Sequence, residues 1–503
     1  MAGYGDINLE LALQIKKASA VEFTEPPGYL SALKGFQKKG VAFLYTIKSG
    51  AIFDTTGSGK THIVMALMCL LKSRDELGSC LYVVPAADLL SKVEELGKFT
   101  NTLNFAAASG KLSNRISVYN TSYDVILVSY EVLRGQDFEY LKALNFNTVI
   151  LDESHVFRNS ATKTAEHVLS ITKNASRVVT MSATPIQMSL VDVWAQSRSW
   201  NQGIFGTESS FKRRYVIEEE EEHNVRRHRF KKRRIVGYRN LSELKQILDP
   251  FFLRRTIADI EDELPALLVD TRWGSLLPAQ RSVYEELRKG TVQLICNGQR
   301  HEARKHIHSM VMCVNSTAAL GVEADYSWKF DWLMAELHRD ASGFSGSMAN
   351  DKVVVFAQHK ATLRVLSKRL LNEGIKFVVM TGDDSKESRQ QRRRQFWEDE
   401  DTRVLIGTTA IECSMNLQVA RFLVAVDSLP NPQRVQQLVG RIRRIGSKHK
   451  TVVFVMLLTE NTFEEKLHAR LEKRQAVVNK VFEEESDIFS ALSDFELTQL
   501  FSD

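Results

Sequence analysis

Short apolar runs recur along this chain at a length that suits buried strands, and they do so in two separate blocks. In the first 200 residues the runs are GAIFD, CLYVVP, YDVILVSY, NTVILDE and RVVTMSATP. Stretches with the 3.6-residue spacing of helices lie between them. A run of four to seven apolar residues has no polar face, so both sides of such a strand must be covered. Helices between consecutive strands supply that cover in a parallel, doubly wound sheet. The alternation returns after residue 350 as KVVVFAQ, KFVVMTG, TRVLIGTT, FLVAVD and TVVFVML. The chain reads as α/β, with one doubly wound parallel-sheet architecture used twice.

Between the blocks the pattern changes. Residues 206–261 are rich in charge, with glutamates from Glu218 to Glu222 followed by RRHRFKKRR from Arg226 to Arg234. LSELKQILDPFFLRR and PAQRSVYEELRKGTVQLI have helical spacing, and ASGFSGSMAN at 341–350 has the composition of a flexible loop. The basic block admits three readings: a solvated loop, a contact to DNA, or a partner of the glutamate run acting as an internal brake or hinge. Arg389, Arg392, Arg393 and Arg394 form a second basic cluster, read as a solvated helix face. The expected division is an N-terminal extension over 1–27, a first lobe over 28–205, a helical, charged insertion and brace over 206–345, a second lobe over 346–475 and a helical tail over 476–503.

Composition narrows the class. Hydrophobic residues at 44% and charged residues at 25% are those of a globular protein and exclude a disordered one. The five cysteines are odd in number and none sits at CxxC spacing, which argues against a disulfide framework or a zinc ribbon. The first residues have no signal-peptide core, and no stretch reaches the roughly 18 apolar residues of a membrane span. A soluble intracellular protein, cytoplasmic or nuclear and without a membrane partner, is expected. The net charge of +6 permits an anionic partner without demanding one.

FDTTGSGKTH, residues 53–62, carries the first chemistry. A strand runs into a loop of Thr56, Gly57, Ser58 and Gly59 and then into a helix. The two glycines let backbone N–H groups approach a phosphate, and the helix N-terminus favours its charge. Lys60 is placed to reach the β- and γ-phosphates, and the Thr61 hydroxyl to hold Mg²⁺. The strict phosphate-loop pattern begins with Gly, where this chain has Asp54. The second element is VILDESHVFRN at 149–159. A buried strand ending in Asp152 and Glu153 needs something positive to meet them. With the strand expected beside the phosphate-loop strand, Asp152 would hold the metal shell and Glu153 would polarise the attacking water. ATP and Mg²⁺ are the implied cofactors.

These elements, with those around them, resemble superfamily 2 helicases, and the Swi/Snf-related ATPases in particular. DESHVFRNSATKTA is similar to the family's acidic box with its continuation, and MSATPIQMSLVDVW to its motif III. LKGFQKKGVAFL resembles the entry motif, which implies that Gln37 reads adenine beside Phe36 as a stacking surface. DPFFLRRTIADIEDELP resembles the arginine-rich brace. QQLVGRIRRIGSKHK is similar to motif VI, with Gln437, Gly440, Arg441 and Arg444. Arg441 and Arg444, at i and i+3, are expected on one helix face as fingers toward the γ-phosphate. LIGTTAIECSMNLQ resembles motif V, with Ile411-Glu412-Cys413-Ser414-Met415 in place of the usual glycine-rich run and Asn416-Leu417 retained. This departure marks a divergent member, and a viral or mobile-element origin fits it.

The resemblance spans roughly residues 28–475 and implies two RecA-like lobes that hydrolyse ATP and step along duplex DNA. By position it implies DNA contacts at Pro85 and Ala86, Ser129 and Tyr130, Thr162 and Lys163, and Thr408 and Thr409, of the phosphate-positioning kind. His155 is expected to couple nucleotide to motif III. His301, His306 and His308 have no carboxylate or cysteine pattern to complete a metal site. The leading expectation is an ATP-dependent translocase, favoured as a monomer, that remodels forked or branched DNA or displaces proteins, with recombination proteins as partners. A second is an ATPase acting with an RNA polymerase in termination or recycling. A third, from another class, is a nucleotide-gated DNA-binding factor with little turnover, against which the intact Lys60, Glu153, Arg441 and Arg444 count. The brace and motif III count against an RNA helicase.

Overall fold

The computed structural model describes residues 25–183, 185–186, 189–225, 228–297, 299–338, 346–408, 411, 416–429 and 432–469. Thr184 and Gln187 of motif III, Thr409 and residues 412–415 of motif V, residues 341–345 of the 341–350 loop, residues 1–24 and the expected tail lie outside the described residues. The chain divides into two compact units between Ile260 and Glu261.

In the first unit the strands are β1 (Gly50–Ile52), β2 (Cys80–Val84), β3 (Phe105–Ala107), β4 (Val125–Ser129), β5 (Thr148–Leu151) and β6 (Arg177–Met181). A hairpin of β7 (Val216–Val225) and β8 (His228–Tyr238) comes next, then the short β9 (Phe252–Leu253). The sheet order is β3-β4-β2-β5-β6-β1-β9, and every pairing in it is parallel. Three of the unit's helices carry side chains of the candidate site: α1 (Gly35–Ile47), α2 (Lys60–Ser73) and α3 (Leu89–Phe99). Side chains alternate between the faces of the strands with period two. Leu81 and Val83 of β2 enter one core, and Cys80, Tyr82 and Val84 enter the other. This is the physical content of the continuous apolar runs: each face has its own core.

The topology corrects one expectation. The VIL strand is not beside the phosphate-loop strand, because β6 lies between β5 and β1. All three strands are parallel, so their carboxyl ends still open on one edge of the sheet. The interposed β6 brings motif III to that edge.

The insertion also differs from a purely helical one. Helices cover Glu208–Tyr215 and Leu241–Leu248, but the glutamate run lies in β7 and residues 228–234 of the basic block lie in β8 of a hairpin. Its antiparallel register sets Glu219 opposite Arg234, Glu220 opposite Arg233, Glu221 opposite Lys232 and Glu222 opposite Lys231. Opposite charges directly across a strand pair stabilise it, whereas five like charges in succession along one helix would repel.

The second unit has β10 (Ala266–Gly274), β11 (Val353–Phe356), β12 (Phe377–Met380), β13 (Val404–Gly407), β14 (Phe422–Ala425) and β15 (Thr451–Thr459), in the order β10-β15-β14-β11-β13-β12. Again all pairings are parallel, and the strands feed two cores, with Val353 and Val355 on one side of β11 and Val354 and Phe356 on the other. A buried ion pair, Lys329 to Glu464 at 2.8 Å, ties a helix to the segment after β15, and Lys329 also donates to the Val426 carbonyl and the Asn315 side chain. No helix among the described residues is long and apolar enough to cross a membrane.

Candidate nucleotide site

The phosphate loop leaves β1 and enters α2 through two glycines in the left-handed region, Gly57 at φ +81° and Gly59 at φ +79°. A Cβ on Gly59 would lie 2.4 Å from the Gln37 side-chain nitrogen, so only glycine lets the loop close on α1 here. Gln37 is buried and both ends of its amide are engaged. Its nitrogen donates to the Ser58 carbonyl at 2.9 Å, and its oxygen accepts from the Lys34 N–H at 3.0 Å. The residue expected to read adenine therefore staples the loop to α1 in this conformation. The Ser58 hydroxyl is buried with no hydrogen-bond partner among the described residues. Lys60 curls back, donating to the Asp54 carbonyl at 2.8 Å and the Thr55 carbonyl at 3.1 Å.

Asp54 is where the chain departs from the strict pattern, and the structure supplies the reason for a carboxylate. Its side chain is fully buried and met by Arg255, from the expected brace, with Nη2 at 2.6 Å and Nε at 3.0 Å. The Arg255 guanidinium also donates to the Phe36 carbonyl and lies 4.9 Å from the centre of the Phe36 ring. One face of Phe36 is thus already covered by a cation. Backbone contacts repeat the link, since Thr55 N–H donates to the Arg255 carbonyl at 3.0 Å. The brace holds the start of the phosphate loop, a role that sequence position alone does not disclose.

At the end of β5, Asp152 is nearly buried. Its carboxylate accepts from its neighbour's N–H at 3.0 Å, and its carbonyl accepts from the Tyr130 hydroxyl at 2.8 Å. Glu153 adopts φ +48°, a left-handed conformation that costs a residue with a side chain on the order of 1–3 kcal/mol and tends to be kept at functional sites. His155 Nδ1 lies 3.2 Å from the Ser182 hydroxyl at the end of β6 and 3.3 Å from the Glu153 carboxylate. Beside it the Ser154 hydroxyl donates to Gln196 at 2.5 Å, and Gln196 donates in turn to the Pro185 carbonyl. The acidic box is wired to motif III through side chains, His155 to Ser182 and Ser154 to Gln196.

Lys92 was not among the expected residues. Leu89, Lys92 and Leu96 form the buried stripe of α3 at spacings of three and four. A lysine on an apolar stripe signals a buried partner, and that is the cue in the sequence. Its ammonium lies 3.1 Å from the Asp152 carboxylate and hydrogen-bonds the Thr61 hydroxyl, with Glu95 at 3.8 Å. Burial pulls the lysine's pKa down, but Asp152 first, then Tyr82, Glu95 and Asp88, outweigh it and hold it well above its ordinary value. The two residues expected to hold a metal thus already enclose a cation. A hydroxyl and a carboxylate are hard oxygen donors, and two protein ligands suit Mg²⁺, which keeps several waters and takes the rest from phosphates. The donor set fits the group.

The expected DNA residues separate by exposure. Ser129 is buried and its hydroxyl caps the short helix after β4 by accepting from the Val132 N–H. Tyr130 is buried against Asp152, and Thr408 is buried at the end of β13. These three lack the open hydroxyl that a phosphate contact needs. Thr162 caps the helix α4 (Lys163–Thr172), accepting from the Ala165 N–H and donating to the Asn159 carbonyl, while Lys163 is exposed. Pro85 and Ala86 are half-buried in the turn after β2.

In the second unit, helix α5 (Pro432–Ile442) ends before Arg444. Arg441 lies in its last turn, with a buried Nε that has no hydrogen-bond partner among the described residues. Arg444 sits in the turn beyond it, which closes through the Ser447 N–H to its carbonyl and uses Gly446 at φ +85°. The two arginines do not share a helix face as their spacing implied, because the helix stops between them. Arg443 is structural, nearly buried and donating to the Pro265 carbonyl at 2.8 Å. Arg389 and Arg392 turn onto Asp384, the latter at 2.8 Å, so the second basic cluster is partly internal.

Two parallel sheets, with a phosphate loop and an acid pair at one edge of the first, define a P-loop nucleotide-binding protein. Comparison with known families narrows this further: the SNF2-related domain matches residues 36–318, and the helicase conserved C-terminal domain matches 328–446. The chain belongs to the SNF2-related family. It is 24% identical over 504 residues to an uncharacterized ATP-dependent helicase, MG018, of Mycoplasma genitalium, covering 97% of this chain and 46% of that one. It is 26% identical over 545 residues to a DNA repair and recombination protein RAD54-like of Danio rerio, covering 97% and 72%. Across its first matches the chain spans about half the length of the curated relatives, 54% and 46%. Among solved structures, the Sulfolobus solfataricus SWI2/SNF2 ATPase core in complex with dsDNA aligns with a TM-score of 0.45 at 21% identity, over 92% of this chain and 95% of that one.

Proposed function

We propose that this chain is a DNA-stimulated ATPase that translocates on duplex DNA, remodelling forks or branches or displacing bound proteins. The observation that carries the reading is the convergence of the Thr61 hydroxyl and the Asp152 carboxylate on one positive charge, with Lys60 on the same loop and Glu153 next in the chain. That is the arrangement phosphoryl transfer to water requires, since positioning and charge compensation do most of the work. Bound Mg²⁺ would neutralise charge on the β- and γ-phosphates, held by Thr61 and Asp152. Lys60 releases the two loop carbonyls and takes up phosphate oxygens. Glu153 orients the attacking water, and Arg441 and Arg444 are the residues proposed to supply the positive charge of arginine fingers. Lys163, exposed at a helix start, is the best-placed phosphate contact for DNA, with Thr162 next to it in the chain, and Pro85 and Ala86 are further candidates. The Danio rerio relative, named for DNA repair and recombination, supports a DNA substrate.

The test is steady-state ATP hydrolysis with no nucleic acid, single-stranded DNA, blunt duplex, forked and four-way DNA, and RNA duplex. Strong stimulation by duplex DNA is expected, with more from forks or junctions if remodelling is the task. If none of these stimulates turnover, the translocase reading fails and an ATPase working against an RNA polymerase takes its place.

A further inference from the structure

We propose that Lys92 is a built-in counter-ion of the metal place: its ammonium sits between Thr61 and Asp152 when metal is absent, and the metal must displace it. This rests on the reading of Thr61 and Asp152 as the metal's holders.

Three observations carry it. The ammonium contacts both oxygen donors at once, at hydrogen-bonding distance to the Thr61 hydroxyl and 3.1 Å from the Asp152 carboxylate. Those two residues come from different elements, the start of α2 and the end of β5, so a shared cation is a property of the site and not of one local turn. Asp152 is 6% exposed, and apart from Lys92 the only hydrogen-bond donor to its carboxylate among the described residues is the Glu153 N–H. A buried carboxylate in that state needs a cation, and Lys92 provides one before any ligand arrives.

The lysine also has somewhere to go. Glu95 lies one turn further along α3, 3.8 Å from the ammonium, with its side chain 30% exposed. A four-carbon stem can swing between the two carboxylates without moving the helix. Lys92 then alternates between Asp152, in the metal-free state, and Glu95, in the loaded state. The consequence is competition: the metal pays the cost of evicting an ammonium, so the free protein binds divalent ions weakly and loads them with the nucleotide's phosphates.

Mn²⁺ alone, titrated into the nucleotide-free full chain and followed by electron paramagnetic resonance, tests this without turnover. Lys92→Met is expected to tighten Mn²⁺ binding at least about tenfold, and Lys92→Met/Asp152→Asn to abolish the gain. Lys92→Gln, which keeps a polar group in the site, serves if the methionine variant does not fold. Glu95→Gln, which removes the alternative partner, is expected to weaken Mn²⁺ binding about threefold or more. Unchanged or weaker Mn²⁺ binding in Lys92→Met and Lys92→Gln overturns the proposal. The underlying site reading fails separately: if Asp152→Asn alone leaves the Mg²⁺ dependence of fluorescent ADP binding unchanged, Asp152 does not hold the metal.

Discussion

Arg255→Met isolates the contact between the brace and the phosphate loop. The Asp54 side chain is 0% exposed and that of Arg255 14%. Both carboxylate oxygens are met, by Nε at 3.0 Å from each and by Nη2 at 2.6 Å, and the Arg255 N–H adds a third donor at 3.0 Å. Methionine keeps most of the side-chain volume but strands a carboxylate with one backbone N–H. Breaking a buried pair from one side costs about 3–5 kcal/mol. For a unit of this size, each kcal/mol lowers the melting temperature by about 2–4 °C, so a fall of roughly 6–20 °C is expected. Differential scanning calorimetry of the nucleotide-free full chain measures it. Asp54→Asn/Arg255→Met should recover most of the loss, because the unpaired charge is the larger part of the cost and the asparagine has none. A single variant melting within about 2 °C of wild type, below the smallest shift expected, would refute the reasoning. So would a double variant no more stable than the single.

Glu153→Gln should bind fluorescent ATP analogues as wild type does but hydrolyse ATP at least about a hundredfold more slowly, since it keeps the geometry and loses the base; wild-type turnover would remove Glu153 from the water-orienting role. Arg444→Ala should retain ATP and DNA binding while losing DNA-stimulated turnover, measured by coupled assay on duplex DNA; retained stimulation would end its assignment as a finger. Asp137 accepts from Arg115 at 2.7 and 2.8 Å and from the Tyr119 hydroxyl at 2.7 Å. Burial pushes its pKa up, but these partners outweigh burial and hold it below the ordinary 3.8. A depressed carboxylate pKa contributes stability that is present above the unfolded value and lost as pH falls through the folded one. Asp137→Asn should therefore be less stable than wild type at pH 7, and the gap in melting temperature should close as pH falls below about 4; a gap constant with pH would contradict this.

Much of this protein is dictated by local chemistry. Ten apolar runs were legible as buried parallel strands because a strand covered on both faces has no polar alternation to blur it, and all ten form. β10 was not, because ALLVDTRWG mixes charge with apolar residues, as an edge strand with Leu268 and Val269 exposed can. β3, only partly buried along its three residues, and β9, two residues long, leave no continuous apolar run. The phosphate loop and the acid pair were legible because glycines, a Lys-Thr step and a strand-terminal Asp-Glu each have few other uses.

What the sequence could not decide was which groups meet. Strand order is a matter of crossover connections, so only the folded sheet places β6 between β5 and β1 and brings Ser182 to His155. Helix α5 ends at Ile442, between Arg441 and Arg444, and the chain turns next through Gly446, whereas spacing alone extended the helix past that point. Glu219 to Glu222 and Lys231 to Arg234 carry the same charge in any conformation, but a hairpin register is needed to set them opposite each other. Asp54 meets Arg255 from 201 positions away in the chain, and Lys92 meets Asp152 from another element. Periodicity decides which face of an element is buried. Only the packing of one element on another decides which charge a buried charge will find.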